Sequence, residues 1–143
     1  SAPATVIRLT HMGVAPYLVA ASVRMVMAQR LVRTLCPHCR APGAVTEDDK
    51  KFLTPQEIAS LKTVYHPVGC HSCSGGYAGR RAVFEIMPVE SSAMRQLITT
   101  SNDVDKLTEL AVSEGMTSLR QSALDAVRQG QTSLSEAFKI MMG

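Results

Sequence analysis

Four cysteines carry the chemistry this sequence can offer. They fall in two pairs, Cys36-Pro37-His38-Cys39 and Cys70-His71-Ser72-Cys73, with thirty residues between the pairs. Two residues between cysteines let both thiolates of a tight knuckle point at one ion. Two knuckles complete a tetrahedron, with zinc–sulfur distances of about 2.3 Å. Pro37 stiffens the first knuckle, and Gly69 eases the approach to the second. Zinc held by Cys36, Cys39, Cys70 and Cys73 is the expectation. Four thiolates leave no position for water, so the site is read as structural rather than catalytic. Iron in a rubredoxin-like site uses the same ligands, but such proteins are usually acidic and aromatic-rich, whereas this chain has three Tyr, three Phe and no Trp. Disulfides are the other rival, in a chain long enough to have a core and without a recognisable export signal. A thioredoxin-like pair would need one CxxC in a βαβ context, which is missing. His38 and His71 lie inside the knuckles and read as surface residues, and His11 and His66 stand alone.

The elements that must position these thiols can be read from caps and breakers. Ser1-Ala2-Pro3 opens a helix that Gly13 ends, and Pro16 opens a second, apolar helix expected to run to about Ala28. Between the knuckles, Thr54-Pro55-Gln56-Glu57 forms a capping box, and Thr46 with Asp49 a weaker one, so this stretch reads as two short helices. Arg81 to Met87 reads as a strand stopped by Pro88. Beyond it the pattern is helical. Ser91 or Ser92 caps a helix to about Thr99, Asn102 caps one over Asp103 to Glu114, a third runs from Ser118 to Gln129, and Ser133 with Glu136 boxes the last.

Composition narrows the classes. The chain has 143 residues, 45% hydrophobic and 19% charged, enough for one compact domain with a core or a small domain carrying an inserted module. The longest apolar stretch, Met12 to Ala28, is broken by Pro16 and Arg24 and is shorter than the roughly 20 residues a membrane span needs. The net charge of +3 is unevenly distributed. Arg8, Arg24, Arg30, Arg33 and Arg40 all precede the first acid, Glu47. A basic first third suits an anionic ligand or an acidic partner surface. There is no GxxxxGK[ST], no HExxH, no GxSxG and no cysteine left over as a nucleophile.

Four segments together point to a family. They are Arg8-Leu9-Thr10-His11-Met12-Gly13-Val14, then Ala28-Gln29-Arg30-Leu31-Val32-Arg33-Thr34-Leu35-Cys36-Pro37-His38-Cys39, then Gly69 through Arg81, then Phe84-Glu85-Ile86. The series resembles the C-terminal part of the type II secretion and type IV pilus assembly ATPases, of the tetracysteine type. Thr132 to Ala137 resembles that family's last helix, so the likeness covers essentially the whole chain. The resemblance implies a mostly α fold with a small antiparallel two-stranded element and an inserted zinc module, forming the C-terminal portion of a RecA-like P-loop ATPase. It implies three regions: 1–35 at the edge of the ATPase core, 36–79 as the zinc module, and 80–143 as a strand and helical subdomain. Gln29 to Leu35 would pair with Arg81 to Met87, with the zinc module at the tip.

In that family the P-loop lies N-terminal to the segment matched here. The expectation is therefore a fragment that does not hydrolyse ATP alone, from a cytoplasmic parent that binds ATP and Mg, forms a homo-hexamer, and meets the inner membrane through platform proteins. Arg8 and Arg80 match arginines that the family places near the nucleotide or the subunit boundary, where a guanidinium suits phosphate or carboxylate, and Arg30 is a further candidate for the same role. The alternative for each is a structural pair within the chain, for instance with Glu85. The rival reading of the whole is a zinc-knuckle binding module for nucleic acid or protein. Only Arg40 stands beside the knuckles, without aromatics for base stacking, so nucleic acid is not expected.

Overall fold

A computed structural model describes residues 1–143. The chain divides into two compact units: residues 1–29 with 84–119, and residues 30–83 with 120–143. Two long strands, β1 (Met25–Leu35) and β4 (Tyr77–Pro88), pair with each other and contribute residues to both units. Hydrogen bonds flank the ladder. The Val89 amide donates to the Arg24 carbonyl (2.8 Å), and the Cys36 amide to the Gly76 carbonyl (2.9 Å). Residue numbers rise on one strand as they fall on the other, so the pair is antiparallel.

The first unit holds α1 (Ala2–His11), α2 (Pro16–Ser22), α5 (Ser92–Thr100) and α6 (Val104–Ser113). Val6, Ile7, Val19, Met87, Met94, Ile98 and Leu107 form its core. Three of these helices start on a side-chain cap. The Ser1 hydroxyl accepts from the Ala4 amide, Ser91 from Met94, and the Asp103 carboxylate from Asp105 and Lys106. The α6 cap is thus Asp103, one residue later than the Asn102 expected, and its negative charge also suits the helix dipole. Buried Glu85 points inward. Its two oxygens accept from the Ala2 amide (2.6 Å) and the Leu119 amide (3.0 Å), the first residues of α1 and α7.

One expected helix is shorter than the sequence suggested. α2 ends at Ser22, Val23 is extended (φ −76°, ψ 129°), and Met25 to Ala28 belong to β1. A continuous apolar run does not distinguish helix from strand by period. Here the β4 partner decides, with Val26 turned inward and Met25 and Met27 about half exposed. Tyr17 of α2 is 66% exposed.

The second unit holds β2 (Ala41–Gly43), α3 (Glu47–Lys50), α4 (Pro55–Ser60), β3 (Val64–His66), most of α7 (Leu119–Arg128) and α8 (Leu134–Met142). β2 and β3 pair antiparallel, with Pro42 opposite Tyr65. Leu61, Val64, Leu124, Val127 and Phe138 form the core, and the Phe52 ring tilts against Phe138 with centroids 5.3 Å apart. The Thr54–Glu57 capping box is complete, and Thr46 caps the Asp49 amide. Glu57 also grips the Arg120 guanidinium with both oxygens, each at 2.8 Å. At α8 only half of the expected box forms. Ser133 accepts from the Glu136 amide, but the Glu136 carboxylate turns to Arg33, taking its backbone amide (2.8 Å), its Nε (3.0 Å) and its Nη2 (2.9 Å), and to Lys139 (2.8 Å).

These contacts hold two carboxyls far below their ordinary range, each at about 2. For Glu57 the main cause is the Arg120 hydrogen bond. For Glu136, burial pushes upward, and hydrogen bonds from the Arg33 backbone, Lys139 and the Arg33 side chain outweigh it. A carboxyl whose folded pKa is depressed stabilises the fold fully above its unfolded pKa and loses that contribution as pH falls toward the folded one. Urea midpoints should therefore hold steady above about pH 5 and drop progressively from there toward pH 2. Glu136→Gln should flatten part of that slope and cost about 1–3 kcal/mol at pH 7. In the first unit, Glu85→Ala should lower stability in urea at neutral pH by a similar 1–3 kcal/mol, about the cost of orphaning buried amides.

Candidate metal centre

β1 delivers Cys36 directly. The Leu35 amide donates to the Gln131 carbonyl (3.0 Å) and the Thr132 hydroxyl to the Arg33 carbonyl (2.7 Å), so the strand end is held before the first knuckle begins. The Arg40 amide closes that knuckle on the Cys36 carbonyl (3.1 Å). Arg40 then lies over the Tyr65 ring, 4.3 Å from its centroid, and its guanidinium donates to the Gly130 carbonyl. The β2–β3 pair turns the chain back towards Cys70. Gly69 stands at φ 109°, a left-handed conformation that L side chains rarely adopt, and from there its amide donates to the Cys39 sulfur (3.4 Å). Gly76 is required for a different reason. A Cβ there would sit 2.5 Å from the Pro67 Cβ.

The four sulfurs all lie within 4.8 Å of one another. Cys36 and Cys70 are 3.9 Å apart, Cys39 and Cys73 3.7 Å, and Cys70 and Cys73 3.6 Å. A tetrahedron with metal–sulfur bonds of about 2.3 Å has edges of about 3.8 Å. A disulfide needs about 2.05 Å. The observed separations fit a tetrahedral ion and do not fit bridged pairs. Cys36 is buried and the other three are half-buried, which shields the thiolates from competing water.

Their acidities are split. The Ser72 backbone pulls Cys70 down, but burial and the hydrogen bonds shared with Cys73, Cys39 and Cys36 prevail and push it up to about 11. Burial works against ionisation of Cys73, yet hydrogen bonds from the Cys70 and Gly76 backbone and from its neighbouring thiols bring it down to about 7. Four close thiols do not all ionise readily by themselves, and a bound cation supplies the compensating charge. The cluster can hold a metal ion.

The histidines keep their distance from this chemistry. His38 and His71 are exposed on the knuckles, His11 is exposed at the end of α1, and His66 is part of β3. Arg8 is exposed on α1, Arg30 on β1 and Arg80 on β4. Arg80 lines a cavity of about 260 Å³ together with Arg33, Ser74, Tyr77 and Gly79. Glu85, the partner considered for these arginines, spends its oxygens on backbone amides instead. Sequence reasoning missed the polar support beneath the centre. Arg33 binds Glu136 and lies 4.0 Å from the Tyr77 ring centroid, and the Tyr77 hydroxyl meets the Ser133 hydroxyl at 2.7 Å. The one available signal was the acid at Glu136, which read as half of a helix cap.

Comparison with known proteins agrees with the family resemblance of the cysteine knuckles and their flanking segments. Residues 1–139 match the model of a family described as "Type II/IV secretion system protein". The type IV pilus assembly ATPase PilB of Myxococcus xanthus is 38% identical over 139 residues, covering 94% of this chain and 24% of that protein. The type II secretion system protein E of Aeromonas hydrophila is 36% identical over 134 residues, 93% of this chain and 26% of that protein. The type II secretion system ATPase E of Vibrio cholerae is 36% identical over 141 residues, 98% and 27% respectively. The chain thus spans about a quarter of the length of these relatives. With the match running through both knuckles and nearly end to end, this chain belongs to the type II/IV secretion system protein family.

Proposed function

We propose that this chain is the C-terminal region of an ATPase that powers type II secretion or type IV pilus assembly, and that Cys36, Cys39, Cys70 and Cys73 hold a structural zinc ion. The observation that carries the reading is the coincidence of a full-length family match with four sulfurs at tetrahedral spacing. Zinc suits an all-thiolate set, and when bound it supplies a cross-link between the two knuckles and no open coordination site. The chain's own residues do the rest. Gly69 orients Cys39, the Arg33–Glu136 pair anchors the strand that leads into Cys36, and Arg40 ties the first knuckle to Gly130.

On this reading residues 36–79 are a rigid metal module set between 1–35 and 80–143. The parent is a cytoplasmic homo-hexamer that works at the inner membrane through platform proteins, and its RecA-like core binds ATP and Mg. Arg8, Arg80 and Arg30 serve the nucleotide or the neighbouring subunit. No helix of the structure is long and apolar enough to cross a membrane.

Elemental analysis of the purified chain should find one zinc per polypeptide. Cys36→Ser and Cys70→Ser should lose it and lower the melting temperature, as should a strong chelator, because thiolate sites of this kind contribute about 10–16 kcal/mol of apparent binding energy. Absence of zinc, or variants that melt like the wild type, would remove the structural role. In the full-length polypeptide, Arg80→Ala should reduce ATP turnover at least tenfold with zinc content unchanged, and undiminished turnover would dismiss the nucleotide role of that residue.

A further inference from the structure

β1 and β4 bring two arginines to one cavity of the second unit. It measures about 260 Å³ and is lined by Arg33, Ser74, Tyr77, Gly79 and Arg80. Two guanidiniums lining one cavity repel each other, and an anion between them relieves that repulsion. The chain supplies only part of the counter-charge. Glu136 takes the Nε and Nη2 of Arg33, and the Tyr77 ring lies 4.0 Å from the same guanidinium, which leaves Nη1 without a partner. Arg80 and the Ser74 hydroxyl have no hydrogen bond or ion pair within the chain. Ser74 is nevertheless held in place, because its backbone exchanges hydrogen bonds with that of Tyr77 (3.0 and 3.1 Å). At Gly79 a Cβ would meet nothing within 4 Å, so the cavity wall is open beside Arg80.

We propose that this cavity binds a phosphate group, with Arg33, Arg80 and the Ser74 hydroxyl as its donors. Glu136 already occupies the Nε–Nη2 edge of Arg33, an edge that receives a carboxylate through paired hydrogen bonds. What remains is single donors from three side chains. That set suits the several oxygens of a tetrahedral anion better than the two of a carboxylate. The wider field has the matching sign. In residues 30–83 and 120–143, eleven Lys and Arg stand against six Asp and Glu. The balance stays positive even with the net negative charge of a zinc tetrathiolate included. Free phosphate and a nucleotide carry the same group, and the cavity recognises that group in either. The site is a property of this chain alone, and so goes beyond the activity proposed for the parent.

Titration of inorganic phosphate into the labelled 143-residue chain at constant ionic strength tests this. The amide resonances of Ser74 and Gly79 and the Arg80 Nε–H resonance should shift together and saturate. Arg80→Gln changes an exposed side chain without a partner, so the fold stands, and it should weaken binding at least about tenfold. Ser74→Ala should weaken it about threefold. Arg81→Gln, an exposed neighbour on β4 that does not line the cavity, should leave binding within about twofold. ATP without Mg and phenyl phosphate should compete for the same resonances. Tighter binding of ATP than of phosphate would assign the group to a nucleotide and the reverse to free phosphate, the cavity being a phosphate site in both cases. Binding to this chain is read separately from ATP turnover by the full-length polypeptide, so either can fail without the other. The proposal is overturned if phosphate moves none of these resonances, if acetate at equal ionic strength binds as tightly as phosphate, or if Arg81→Gln costs as much as Arg80→Gln, which would reduce the attraction to diffuse charge.

Discussion

Thirty residues separate Cys39 from Cys70, and their sulfurs must nevertheless meet the other two with all four within 4.8 Å of one another. Everything in the second unit is arranged around that convergence. Closing such a loop costs conformational entropy, which the chain reduces by giving the intervening segment structure of its own. Two capped helices and the β2–β3 pair bring the chain back, and Gly69 makes the last turn that L residues resist. Like charges among close thiolates oppose the same convergence, and a cation removes that opposition.

The convergence is supported from below by a polar network with few alternatives. Glu136 is almost wholly buried and takes hydrogen bonds from the Arg33 backbone, the Arg33 guanidinium and Lys139. A buried carboxylate is tolerable only when its partners are complete, so the network fixes where β1 ends and hence where Cys36 begins. In the first unit Glu85 plays an analogous part with backbone amides alone, anchoring two helix starts on one strand residue. Neither acid is free for catalysis. The named relatives of the chain are about four times its length. Arg8, Arg30 and Arg80 are exposed on α1, β1 and β4.

The cysteine pairs were legible from residue type and spacing because metal geometry restricts both to a few solutions. Thr54 and Glu57, Ser91 and Ser133 were legible because a capping hydroxyl acts within one turn of its own helix. Local rules failed where two local answers were equally good and a distant strand chose between them. Met25 to Ala28 could continue a helix or begin a strand, and only β4 decided. Glu136 could close its own cap or leave it, and Arg33, about a hundred residues away, drew it off. The sequence by itself determined the chemistry of the centre and the family, because both reside in residue identity at short range. The tertiary structure alone decided that the four sulfurs meet and which carboxylates are buried, because those depend on contacts whose partners lie far apart along the chain.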